Sequence, residues 1–200
     1  ESQRVNRMHK RVTGDYQTAA GEQRPYKAAD PDLLLWVHIA FMDSFLRCHQ
    51  MFAWREIPSG SDSGAIAGES GADAYVRLWA KSVTPLGLDN APRNEAELIA
   101  EIQRYKMELV ATPKTLDVVK FIKRPPLPVL ARPVYWLLFE AAVISLPSEF
   151  RELLGLKARA EAIIQPLTRG VLRFIRIAIG PESPIEDGAI ARLRRIGALN

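Results

Sequence analysis

Apolar positions recur with the helical period along most of this chain, and the breaks between the runs fall at proline, glycine and short polar caps. Asp30, Pro31 and Asp32 form the clearest start signal: an acceptor side chain at the N-cap, a proline where a missing N–H does no harm, and an acid facing the positive helix end. The apolar run behind them predicts a helix over 31–52. Between Leu33 and Phe45 it is apolar on nearly every face, so it should be buried on most sides as the central helix of the domain. A first helix is expected over 2–12, stopped by Thr13-Gly14. Further helices are expected over 73–82, 94–109 and 115–121. Arg124-Pro125-Pro126-Leu127-Pro128 then ends helix, and Arg132-Pro133 reopens it over 134–146. Pro147-Ser148-Glu149 opens another that closes at Gly155, and basic amphipathic segments run over 157–179 and 185–196. Strand signals are scarce, with no Asn-Gly or Asp-Gly pair set between alternating apolar runs. The expected fold class is all-α, a helical bundle around one central buried helix, without internal repeats.

A chain of 200 residues suits a single domain over 1–200, and 48% hydrophobic with 25% charged residues argues against disorder or a fibrous repeat. Segment 58–72, rich in Gly, Ser and small residues, is expected to be a flexible loop. The net charge of +4, from 27 basic and 23 acidic residues, is spread too thinly for a nucleic-acid stripe. The longest apolar stretches, 33–42 and 134–146, are too short for a transmembrane helix or interrupted by Glu140. A single cysteine, Cys48, excludes an internal disulfide and a multi-cysteine zinc site. A cytosolic location is favoured, with secretion left open because the chain begins at Glu1 without an initiator methionine and its natural start is expected upstream. Nucleophile-elbow, phosphate-loop and zinc-protease motifs are lacking, which lowers hydrolase, nucleotide and zinc chemistries together.

The residue that stands out is His38, because an imidazole on so apolar a helix needs partners for its ring nitrogens away from water. At helical spacing Leu34, His38, Met42, Phe45 and His49 form one stripe, a plausible lining for a haem face. A core histidine bonded to a backbone carbonyl is the plain alternative. His9 lies among Arg4, Arg7, Lys10 and Arg11, cations that could pair with two propionates or form a solvated basic helix. His49 beside Cys48 is weak ground for a metal. Asp43 and Ser44 interrupt the central helix and, if buried, need partners of their own.

The run 4–14, Arg-Val-Asn-Arg-Met-His-Lys-Arg-Val-Thr-Gly, followed by the run 26–38, Tyr-Lys-Ala-Ala-Asp-Pro-Asp-Leu-Leu-Leu-Trp-Val-His, closely resembles the signature of the oxygenase family of fungal MpaB and the bacterial latex-clearing protein, or rubber oxygenase. The resemblance continues through Asp43-Ser44, the turn at 124–128, Arg132-Pro133 and Leu153-Leu154-Gly155-Leu156. It implies a globin-like helical core around haem b, with His38 as the proximal iron ligand. It makes Arg4, Arg7 and His9 candidates for the distal pocket: Arg4 as a structural or propionate partner, His9 as a distal ligand or proton donor. Met42, Phe45, Trp36 and Phe41 become candidate channel or haem contacts. The implied chemistry is activation of dioxygen at ferrous haem and cleavage of a carbon–carbon double bond in a lipophilic small-molecule or polymer alkene. Relatives begin well before the first of these motifs and carry an acidic residue there that this chain does not match, so its domain is expected to lack its N-terminal part. Two other functions remain open: a haem protein without oxygenase turnover, such as a sensor or a peroxidase-like protein, and a cofactor-free helical module whose basic segments bind an acidic partner or membrane surface.

Overall fold

A computed structural model describes residues 2–18, 20–59, 66–180 and 184–195. Among them the elements run α1 (Ser2–His9), β1 (Thr13–Gln17), β2 (Gln23–Lys27), α2 (Pro31–Phe52), α3 (Gly71–Val83), α4 (Glu95–Lys106), α5 (Pro113–Lys123), α6 (Arg132–Ser145), α7 (Ser148–Leu153), α8 (Glu161–Ile179) and α9 (Pro184–Arg195), with short 3-10 turns at Thr84–Leu86 and Val129–Ala131. The all-α class holds, and the proline and cap signals place the starts of α2, α4 and α6 within two residues of expectation.

The N-terminal segment departs from expectation. Helix α1 stops at His9, the Val12 amide donates back to the His9 carbonyl, and residues predicted helical to 12 give way to a hairpin. Its strands pair antiparallel from Thr13 opposite Lys27 to Gln17 opposite Gln23. The hairpin escaped notice because its connection is not a two-residue Asn-Gly type. The Thr18 and Glu22 backbones close it, with Gly21 at φ 83 in the left-handed region. Strand positions are mostly exposed, so no apolar alternation marks them.

Helix α2 forms where the caps say it should. Asp30 accepts from the Asp32 amide, and at the far end the Met51 carbonyl, one of the last four left without an intrahelical donor, accepts from Arg169 Nε at 2.8 Å and from Gln165 Nε2 at 3.3 Å on α8. Two apolar clusters meet along it. Leu35, Ile39, Met42 and Leu46 pack with Val76 and Val83 of α3 and Leu98, Ile102 and Tyr105 of α4. Phe52, with Cys48 and Met51 beside it, packs with Leu137, Ala141 and Ile144 of α6 and Ile164 of α8. The α2 start is locked to α4 because Tyr105 Oη donates to the Asp32 carbonyl and carboxylate at 2.8 and 2.7 Å.

Residues 60–65, the middle of the segment expected to be a flexible loop, lie outside the described residues. Its C-terminal end is fixed to α3. Glu69 receives Arg77 Nε at 2.7 Å and the Ile66 amide at 2.8 Å, and these donors hold its carboxyl near a pKa of about 2. Gly71 opens α3 directly against the preceding strand of chain: a Cβ there would sit 2.1 Å from the Ile57 carbonyl oxygen. Gly71→Ala is therefore expected to lower the unfolding free energy by about 1–3 kcal/mol, measured by urea denaturation; an unchanged midpoint would show that this contact does not constrain the fold.

Candidate active site

The first turns of α2 bring His38 below the surface with 7% of its area exposed. Its Nε2 is buried and has no hydrogen-bond partner among the described residues. Desolvation pushes its pKa down and favours the neutral ring, and in the tautomer that carries its proton on Nδ1 this nitrogen offers a lone pair to a Lewis acid. The plain alternative, a core histidine satisfied by a backbone carbonyl through this nitrogen, is not the arrangement found.

Trp79 packs on the ring and links it to a chain of aromatics from two helices. Trp79 of α3 lies 5.8 Å from the His38 ring, 5.6 Å from Phe45 and 5.8 Å from Tyr75, and Phe41 stacks on Phe45 at 6.1 Å. The Tyr75 hydroxyl is also buried without a partner, and burial pushes its pKa up to about 12. On α2, the side next to His38 is open: Val37, Phe41 and Phe45 are 49%, 55% and 54% exposed. The central helix is thus not buried all round, as its composition predicted, but keeps one apolar strip in contact with solvent.

The predicted stripe on α2 divides in two. At 3.6 residues per turn Met42 and Phe45 point about 60° apart, so Met42 falls inside the α2–α3–α4 core with none of its area exposed, while Phe45 stays on the open strip with Trp79. Leu34 and Trp36 are partly buried against that same core, and His49 is exposed, with Nε2 3.1 Å from the Arg55 carbonyl. Asp43 is buried but its carboxylate receives Arg47 Nε at 2.8 and 2.9 Å, which accounts for it without recourse to His38; Ser44 is exposed. Arg4 and Arg7 are exposed on α1, which packs on the 3-10 turn at the end of α3. His9 is partly buried and its Nδ1 has no partner. Among the described residues no hydrogen bond, ion pair or ring contact joins Arg4, Arg7 or His9 to His38. Trp79 and Tyr75 were missed from sequence, although their spacing of four on a predicted helix placed both rings on one face.

The described residues hold no cluster of three or more His, Cys, Asp or Glu able to bind a metal ion, so a metal here would rest on one imidazole and a group of its own. No described helix is long and apolar enough to cross a membrane. A helical domain with a single unpartnered imidazole on its central helix is the class that fold and site define together. The chain belongs to the family described as ER-bound oxygenase mpaB/B'/Rubber oxygenase, catalytic domain, which matches residues 1–177. It is accordingly an oxygenase domain, within the oxidoreductases. No curated protein matches the chain. No solved structure matches it either.

The depressed pKa of His38 has a definite sign in stability. Between the lowered value and the ordinary 6.5 the unfolded chain binds a proton that the folded chain does not, so this contribution is complete above 6.5 and is lost as pH falls. The melting temperature is therefore expected to drop further between about pH 7.5 and about pH 5 in the wild type than in His38→Phe, where the titrating ring is gone. Equal drops in the two proteins would show that His38 is not held neutral by burial.

Proposed function

We propose that the chain binds haem b through His38 Nε2 and uses it to activate dioxygen for oxidation or cleavage of a carbon–carbon double bond in a lipophilic alkene. The observation that carries this reading is the buried, neutral, unpartnered nitrogen beside an uncovered aromatic strip. An axial imidazole and a wide apolar slot are what haem requires of a protein. Membership of an oxygenase family supports the reaction class.

When bound, haem supplies the dioxygen chemistry; the chain supplies the setting. His38 would hold the iron side through Nε2, in the neutral tautomer protonated on Nδ1. Phe41, Phe45 and Trp79 present an open apolar strip that the bound group and an alkene would cover, which suits an alkene better than a polar substrate. Because His38 is 7% exposed, loading would require Trp79, the ring packed on it, to shift outward. By the family resemblance alone, the exposed guanidiniums of Arg4 and Arg7 would pair with propionates and His9 would serve as a proton donor or second ligand on the distal side. The buried, unpartnered Nδ1 of His9 favours a second reading, in which both axial positions are filled and turnover is shut off.

Titration with haem should give the wild type a Soret band that is lost or displaced in His38→Ala, with circular dichroism showing both proteins folded. Loaded wild type, reduced and supplied with dioxygen and a lipophilic alkene, should release carbonyl products. A folded wild type without a Soret band, or a variant with an unchanged one, would overturn the assignment. A low-spin ferrous spectrum resistant to dioxygen would select the second reading.

A further inference from the structure

Far along α2 from His38, its C-terminal end and α8 enclose a groove that the oxygenase reading does not use. Two adjoining cavities of about 520 and 760 Å³ share His49, Ala53, Trp54, Arg55 and Arg169. The larger is also lined by Phe52, Leu172 and Ile177, and by Arg173 and Arg176. Arg169, Arg173 and Arg176 stand at i, i+4 and i+7, which places them on one face of α8, and Arg55 faces them from the loop after α2.

Arginines on a helix are usually solvated surface charges or are spent on neighbouring carboxylates. Here, among the described residues, no carboxylate lies within ion-pair distance of any of the four. Two of them are also held in place. The Arg173 guanidinium lies 4.0 Å over the Trp54 ring, and Arg169 is anchored through Nε to the Met51 carbonyl, which leaves its terminal nitrogens facing outward from that contact. Glu56 lines the smaller cavity beside Arg55 and Arg169 without pairing with either, whereas the larger cavity, with four arginines, has no carboxylate in its lining, and guanidiniums not spent on an ion pair suit an anion because their planar forks match carboxylate or phosphate oxygens. Phe52, Leu172 and Ile177 beside them offer an apolar wall, and the volume falls in the range of small-molecule pockets.

We propose that this groove binds an amphiphile with an oxyanion head, carboxylate or phosphate, on an apolar chain, the head held by Arg169, Arg173 and Arg176 and the chain laid along Phe52, Trp54 and Leu172. A concave cavity rather than a flat basic face commits the proposal to a free molecule, not a bilayer surface. It does not depend on haem binding at His38.

Calorimetric titration of the 200-residue chain with octyl phosphate and with octanoate, each below its micelle concentration, tests this directly. Binding is expected for both, with affinity falling on the order of ten-fold or more in the Arg169→Gln/Arg173→Gln double variant and in Trp54→Ala. Circular dichroism of these variants, altered only at exposed side chains, checks that they fold. Octanol should not bind, and inorganic phosphate should bind much more weakly. Equal binding of octanol would remove the anion receptor, and equal binding of inorganic phosphate would remove the apolar subsite. Unchanged affinity in the double variant, or association with anionic vesicles without binding of either free amphiphile, would overturn the proposal.

Discussion

A buried imidazole nitrogen without a hydrogen bond costs on the order of 1–3 kcal/mol, and His38 Nε2 carries that cost in the middle of the helix around which the other elements are organised. The remaining packing allows the cost to be met. Leu35, Ile39, Met42 and Leu46 bury one side of α2 against α3 and α4, while Phe52 and Cys48 anchor its far end against α6 and α8. Both helix ends are tied down, by Asp30 and Tyr105 at one and by Arg169 and Gln165 at the other. The ring is therefore held by a rigid element instead of by hydrogen bonds of its own, and Nε2 stays available for a ligand.

The same helix serves three environments because its faces differ by small rotations. Met42 looks into the core, His38 sits at the boundary, and Phe41 and Phe45 look out beside Trp79. A water-exposed aromatic strip next to a neutral donor is unfavourable in isolation and favourable once an apolar group covers it. Function in this reading is the completion of a surface that folding leaves unfinished. The arginine groove at the other end of α2 follows a related logic in charge: among the described residues its guanidiniums form no ion pair, which leaves them open to the anion proposed there.

Much of this was legible before the structure. The Asp30-Pro31-Asp32 cap, the proline breaks at 125–128 and the apolar run after 33 define α2 and α6 through local chemistry, so sequence shows them directly. The burial of His38 was legible for the same reason. The hairpin over 13–27 was not, since its strands are held by backbone bonds and carry no apolar alternation. The division between Met42 and Phe45 depends on which neighbours cover α2, information that belongs to the tertiary packing of α3 and α4. The convergence of Trp54 and Arg173, more than a hundred positions apart, depends on tertiary packing in the same way.

The central claim is that one particular imidazole meets the iron, and the chain offers His9 and His49 as the only other histidines. Resonance Raman spectroscopy of the ferrous, haem-loaded protein reads that bond itself. The iron–imidazole stretching band should be present in the wild type, shift on ¹⁵N-histidine labelling, vanish in His38→Gly and return when free imidazole is added to that variant. A band that persists in His38→Gly without imidazole would place the iron on another histidine and contradict the account.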